Sequence, residues 1–110
     1  SRITIMFCAF EGAPNILRLY GKGKEIKKGD STWNDLIPLF PETPGTRQIF
    51  DITIESVQTS CGMSIPFFDY KSERHELNDW ASKKGDKGIK QYWEDNNQKS
   101  IDGLATKILK

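Results

Sequence analysis

The chain is poor in side chains that perform catalysis or hold metals. Its 110 residues include one histidine, His75, and two cysteines, Cys8 and Cys61. A catalytic triad needs a histidine placed beside a nucleophile, whereas His75 lies in a charged stretch where solvent exposure is expected. A structural zinc site needs about four ligands, usually in close pairs. The sequence therefore predicts neither triad catalysis nor a metal site, and it identifies no catalytic residue.

One charged side chain stands out as a candidate for ligand contact. Arg18 is a cation in an otherwise apolar extended run from Ile16 to Tyr20. A guanidinium on such a strand needs an anionic partner, because burying an unpaired charge is costly. We expect that partner to be Asp51 or Glu55 from a later strand, or an anionic ligand.

A second candidate is the segment from Thr59 to Pro66, which has no helical or strand period and is dense in small residues. This pattern predicts a loop, and loops carry binding groups more often than strands do. We expect Ser60, Cys61 and Gly62 to contribute to a ligand cleft, where Gly62 permits backbone conformations closed to other residues. In the competing interpretation, Cys61 is an inert thiol filling a small core pocket. Both cysteines are expected to be reduced.

Three extended segments are predicted to position these groups. The first, Arg2 to Phe10, is apolar on both alternating sets, which is typical of a central strand covered on both faces. The second begins at Ile16, continues to Ile26 and forms an antiparallel hairpin with the first. The third, Arg47 to Val57, alternates so that its odd positions, which include Asp51 and Thr53, form the more polar face.

Helical segments separate and follow these strands. Asp30 or Ser31 is predicted to cap a short amphipathic helix that Pro38 limits. Two more helices are expected from about Ser72 and from about Asp86, separated by Lys83 to Gly88. We interpret the aromatic residues of these helices as core packing rather than as a stacking platform for bases: Trp33, Trp80, Tyr92 and Trp93.

Charge and hydropathy restrict the partners. The net charge of +1, from 16 basic and 15 acidic residues, predicts no attraction for nucleic acid or for an anionic membrane. No apolar run approaches the ~20 residues of a membrane helix, and no secretory signal pattern is present, so a cytoplasmic location is expected. The cluster Lys22, Lys24, Lys27 and Lys28 is interpreted as protecting an edge strand, with phosphate or nucleic-acid contact as the alternative.

These elements predict one α+β domain over residues 1–110, mainly β with helices. Three strands cannot close a barrel, and the chain begins directly in a strand. We therefore expect it to be the C-terminal portion of a larger sheet, with its apolar surface covered in a homodimer.

The run RITIMFCAFEGAPNILRLYGKG, residues 2–23, resembles the centre of the pyridoxamine 5'-phosphate oxidase-related proteins, which have the FMN-binding split-barrel fold. Further similar blocks are VQTSCG at 57–62, PFFDY at 66–70, the helix end at 80–85 and SIDGL at 100–104. The resemblance covers nearly the whole chain and corresponds to the second half of such proteins. It implies a homodimeric split β-barrel that binds FMN, or in some relatives a deazaflavin or haem, at the dimer interface.

The resemblance also assigns site residues. Arg18 lies on the strand whose equivalents line the cofactor cleft, and Ser60, Cys61 and Gly62 follow the last long strand beside the dimer interface. These four are the predicted cofactor-binding residues, while most contacts to the flavin phosphate are expected upstream of Ser1. The implied function is that of an FMN-dependent oxidoreductase acting on a small molecule that the sequence does not identify. The alternative is a non-enzymatic dimeric binding or sensor module with lost or altered cofactor binding.

Overall fold

The computed structural model describes residues 1–109, and the chain divides into two compact units. The first comprises residues 1–40 and 47–72, and the second comprises residues 41–46 and the chain from Glu73 onward. The elements are β1 (Arg2–Cys8), β2 (Asn15–Lys27), α1 (Trp33–Leu36), a 3-10 turn (Ile37–Leu39), β3 (Gln48–Cys61) and α2 (Glu76–Asn96). The predicted α+β class is confirmed. Over residues 1–109, none of the helices combines the length and apolar character that a membrane crossing requires.

The first unit is built on an open three-stranded antiparallel sheet with the order β1-β2-β3. The predicted hairpin of β1 and β2 is confirmed, but the prediction that β1 is a covered central strand is wrong. Strand β2 is central instead, because it pairs with β1 along its first half and with β3 along its whole length. Met6 and Phe7 of β1 are consequently more than half exposed.

Strand β3 continues beyond the predicted end at Val57 and reaches Cys61. Ser60 pairs with Ile16, and Cys61 pairs with Asn15. The prediction of a loop from Thr59 is therefore wrong as far as Cys61. Hydrogen bonding to β2 sets the extended conformation here, since pairing with a neighbouring strand overrides the weak preference of small residues.

A β-bulge interrupts the pairing of β2 with β3. Tyr20 lies opposite Ser56, whereas the next residue, Gly21, lies opposite Ile54. Glu55 therefore has no partner on β2 and is the extra residue of the bulge. Side chains alternate between the two faces along a strand. The inserted residue therefore reverses, beyond the bulge, which residues of β3 (odd-numbered or even-numbered) lie on a given face.

The bulge changes which side chains share a face of β3. Strict alternation places Val57 on the more polar face with Asp51 and Thr53. That expectation is wrong, because the inserted residue brings Val57 to the face that carries Phe50 and Ile52. Apart from Ile49, the apolar side chains of the two stretches of β3 consequently share one face of the sheet.

Gly21 makes this geometry possible. A Cβ atom on Gly21 would lie 2.4 Å from the carbonyl oxygen of Thr53, which is closer than nonbonded atoms approach. Gly21 is also buried. The backbones of β2 and β3 therefore meet at a point where only a residue without a side chain fits.

The core of the first unit lies on the face of the sheet that does not carry Phe50 and Val57, where the end of β2 pairs with the beginning of β3. Ile26, Trp33 and Ile49 are buried, with exposures of 1%, 8% and 8%. Two partly buried residues of the helical segment, Leu36 and Ile37, pack against them. The predicted core role of Trp33 is thus confirmed.

The short helix predicted before the long strand is also confirmed, but its capping is not as predicted. Its N-cap is Thr32, which makes no capping bond through its side chain. The carboxylate of Asp30 instead accepts a hydrogen bond of 2.7 Å from the backbone N–H of Lys27, closing the preceding turn. The α-helix gives way to the 3-10 turn that contains Pro38, in keeping with the missing backbone donor of proline.

The second unit is formed around α2, which bends at Gly85. Gly85 has φ 65° and ψ 173°, so the two helical segments predicted here are confirmed, with this glycine between them. Ala81 and Ile89, one on each side of the bend, are buried. The rings of Trp80 and Tyr92 meet edge to face, 5.0 Å apart, across the same bend.

We expect Gly21→Ala to lower the free energy of unfolding by about 2 kcal/mol or more, because the new methyl group overlaps the Thr53 carbonyl. The matched control is Gly23→Ala on the same strand, whose Cβ would lie 3.7 Å from Ile3, an ordinary contact. For this control we expect a change within about 0.5 kcal/mol. Urea unfolding measures both values, and equal destabilisation of the two variants would contradict the requirement for glycine at the bulge.

Candidate functional site

Two of the predicted site residues meet on one face of the sheet. The Nη1 atom of Arg18 on β2 donates a hydrogen bond of 2.9 Å to the hydroxyl oxygen of Ser60 on β3. Both side chains are half-buried. In the register of the two strands Arg18 lies opposite Gln58, and Ser60 is the next residue of β3 on the same face.

The charge of Arg18 has no carboxylate partner in the part of the chain that the structure describes. The carboxylate of Glu55 forms an ion pair with Lys22, at 3.1 Å. Asp51 lies opposite Lys24, which is farther along β2. The expectation that Asp51 or Glu55 neutralises Arg18 is therefore wrong, because Glu55 is paired with Lys22 and Asp51 lies too far along the strand pair, opposite Lys24. Of the two alternatives, an anionic ligand is the one left open.

A second polar pair, which the sequence did not single out, lies beside Arg18. The hydroxyl of Tyr20 donates a hydrogen bond of 3.0 Å to Oε1 of Gln58. With its Oε1 engaged, Gln58 retains its amide N–H groups as donors. The sequence signal for this pair was the alternation of side chains along each strand. Arg18 and Tyr20 share a face of β2, and Gln58 and Ser60 share a face of β3. This signal becomes informative only once the register is known.

The resulting group of side chains is rich in hydrogen-bond donors. Arg18 has five N–H groups, and one of them donates the described hydrogen bond to Ser60. The hydroxyl hydrogen of Ser60 can donate to another acceptor. Gln58 adds its amide group. Such a set of donors around a half-buried cation complements the oxygens of a phosphate or carboxylate.

The other two predicted site residues do not join this group. Cys61 is exposed and follows Ser60 in β3, so its side chain lies on the opposite face of the sheet. The competing interpretation of Cys61 as a buried thiol is therefore wrong. Gly62 is buried, and a Cβ atom there would lie 3.3 Å from the backbone of Asn15.

The close approach of Asn15, and not an unusual backbone conformation, accounts for a glycine at position 62. Its φ is not among the positive values found at other glycines of residues 1–109. Its N–H donates a hydrogen bond of 2.9 Å to the carbonyl of Pro14. Gly62 therefore does not use the conformational freedom that glycine permits, and the constraint at this position is the space left beside Asn15.

The remaining titratable residues form no metal cluster in residues 1–109. His75 is exposed at the N-cap of α2, as expected. Cys8 and Cys61 are free thiols on two strands that β2 separates.

Strand β2 is the central strand of the sheet only as far as Lys22, so the interpretation that the lysine cluster protects a strand edge holds for Lys24 and Lys27. Lys22 pairs with Glu55 at 3.1 Å, and Lys27 approaches Glu25 at 3.5 Å. Beyond Lys22, β2 pairs with β3 alone in the register of residues 1–109. Acidic neighbours thus reduce the positive charge of this patch.

The face of the sheet opposite Arg18 is apolar. The alternation of the three strands, corrected for the bulge, places nine apolar side chains on it: Ile3, Ile5, Phe7, Leu17, Leu19, Phe50, Ile52, Ile54 and Val57. Phe7 and Phe50 are 53% exposed, and Val57 is 59% exposed. A continuous apolar surface of this kind is typical of contact with another protein surface.

Comparison with known proteins agrees with the resemblance found in the sequence. The chain is similar to the pyridoxamine 5'-phosphate oxidase family protein ustO of Aspergillus flavus, with 28% identity over 118 aligned residues. The match covers 94% of this chain and 47% of that protein, in its second half, so the chain spans about half the length of the curated relative it matches. No family model and no solved structure matches. The chain is therefore similar to the second half of a pyridoxamine 5'-phosphate oxidase family protein, and the predicted resemblance is confirmed.

Proposed function

We propose that the chain is the C-terminal portion of an FMN-binding oxidoreductase of the pyridoxamine 5'-phosphate oxidase-related group. Arg18 and Ser60 contact an anionic group of the cofactor in this proposal. The observation that carries it is the half-buried guanidinium of Arg18, which donates to Ser60 and has no carboxylate partner within residues 1–109. The name of the relative supports the family, and the donors of the site support an anionic ligand.

The chemistry of these residues fits the phosphate of FMN. A guanidinium presents several N–H groups in one plane and matches two oxygens of a phosphate at once. Ser60 holds Arg18 in place on the sheet, so less side-chain freedom is lost when an anion binds. FMN supplies hydride-transfer chemistry when bound, and the protein binds and orients it. Further phosphate contacts are expected from the part of the protein that corresponds to the first half of the relative.

We expect Arg18→Gln to weaken FMN binding at least about tenfold, because a charge-assisted hydrogen bond contributes roughly 1.5–3 kcal/mol. Titration of the purified chain, followed by quenching of flavin fluorescence, measures this. Riboflavin, which lacks the phosphate, should bind equally to the wild-type protein and to the variant. The matched control is Arg47→Gln, an exposed arginine whose Nε bonds to Gln48 instead.

Two outcomes of this titration would contradict the proposal. If Arg18→Gln leaves FMN affinity unchanged but lowers the free energy of unfolding, Arg18 is a structural residue. If the wild-type chain binds neither FMN nor riboflavin, and carries no flavin absorbance or added mass when purified, the oxidoreductase proposal fails for this chain.

The proposal also includes Cys61 and Gly62, which lie beside the cleft of a partner subunit. Cys61 is exposed, so we expect its thiol to react rapidly with a disulfide reagent, and we expect added FMN to slow that reaction. Cys8 is half-buried and serves as the internal control, with each modified thiol assigned by peptide mass. An unchanged rate at Cys61 in saturating FMN would remove Cys61 from the site.

The second candidate function is a non-enzymatic dimeric binding or sensor module. The apolar face of the sheet favours it, because a homodimer buries this face with or without a cofactor. Within this alternative, Arg18 and Ser60 bind an anionic small molecule, and no hydride transfer follows. Flavin absorbance of the purified protein distinguishes the two candidates.

We expect the chain to sediment as a dimer, and we expect Val57→Lys to make it monomeric, because burying a lysine among apolar side chains is unfavourable. Val57 is 59% exposed in the single chain, so the lysine is compatible with the folded monomer. Thr53→Lys is the matched control, because Thr53 is an exposed residue of the same strand on the opposite face. A dimer that persists in Val57→Lys would show that another surface forms the interface.

A further inference from the structure

A cavity of about 530 Å³ lies where β1 ends, and neither candidate function uses it. Its walls are the chain that follows β1 and a segment after β3, with these lining residues: Cys8, Ala9, Phe10, Glu11, Phe68, Asp69 and Tyr70. The N–H of Phe68 donates a hydrogen bond of 3.1 Å to the carbonyl of Phe10. The rings of the same two residues meet edge to face, 5.5 Å apart. The two walls are thus joined through both backbone and side chains.

The charged side chains that line this cavity are both acidic. Glu11 and Asp69 contribute carboxylates, and no lysine, arginine or histidine is among the lining residues. The ion pairs described in residues 1–109 involve neither of them. The cavity therefore has the opposite charge to the site at Arg18, and it repels a phosphate instead of attracting one.

The apolar part of the wall consists largely of aromatic rings. Phe10, Phe68 and Tyr70 are 47%, 61% and 76% exposed, so their rings are open to a ligand. The face of an aromatic ring attracts a cation, and alkyl groups carried by that cation lose contact with water against the rings. Rings combined with carboxylates complement an organic cation better than a metal ion, because hard cations such as Ca²⁺ take about six to eight oxygen ligands.

We propose that this cavity binds a small organic ammonium ion with apolar substituents. Glu11 and Asp69 neutralise its charge, and the rings of Phe10, Phe68 and Tyr70 cover its alkyl groups. The volume lies within the range of about 300–1,000 Å³ that is typical of small-molecule sites. This site goes beyond the proposed flavin function, since it uses different residues and the opposite charge.

Choline is a suitable probe, because its neutral isostere dimethylbutanol has the same shape with carbon in place of nitrogen. In a titration followed by amide chemical shifts, we expect choline to bind at least about fivefold more tightly than dimethylbutanol. The shifts should be largest at Ala9, Glu11, Phe68 and Asp69. Equal affinity for the two compounds would show that the cavity is only an apolar surface, and this would overturn the proposal.

Variants locate the binding and separate it from flavin binding. We expect Asp69→Asn and Phe68→Leu each to weaken choline binding about threefold, with Asp51→Asn on β3 as the matched acidic control. Well-dispersed amide spectra show that each variant is folded. Arg18→Gln should leave choline affinity unchanged, so failure of the flavin proposal does not affect this test. Choline binding unaffected by both Asp69→Asn and Phe68→Leu, or shifts confined to other residues, would overturn the proposal.

Discussion

The arrangement of the sheet depends on the close approach of Gly21 to the carbonyl of Thr53. The backbones of β2 and β3 are in contact where Glu55 is inserted into the ladder, and a side chain at position 21 would not fit between them. Without the inserted residue, uninterrupted alternation would leave Val57 on the face of Asp51 and Thr53. With it, Val57 joins the apolar face, and Gln58 and Ser60 lie beside Arg18.

This register separates two kinds of surface on the two faces of the sheet. One face carries hydrogen-bond donors around a half-buried cation, and the other carries aliphatic and aromatic side chains. Contact with protein on the apolar face leaves the donor face available to a ligand. The same separation explains why Cys61, adjacent in sequence to Ser60, lies on the face of the sheet opposite Ser60 and Arg18.

The sequence predicted features determined by neighbouring residues and missed those determined by distant ones. The hairpin, the short helix before Pro38 and the helix break near Gly85 follow from local patterns, and all three are present. Arg18 was recognisable because a cation on an apolar strand is unusual. The central position of β2, the bulge and the extension of β3 to Cys61 depend on pairing between residues about 40 apart, such as Arg18 and Gln58, which local composition does not determine.

The bend at Gly85 determines how the second unit loses its structure. Each helical segment beside the bend is shorter than the ~12–15 residues at which an isolated helix becomes marginally stable in water. Neither segment is therefore stable without the other, and the contact of Trp80 with Tyr92 and the buried pair of Ala81 and Ile89 hold them together. The two segments should open as one cooperative unit, so that their amide protons exchange with solvent at a common rate instead of fraying independently from each end.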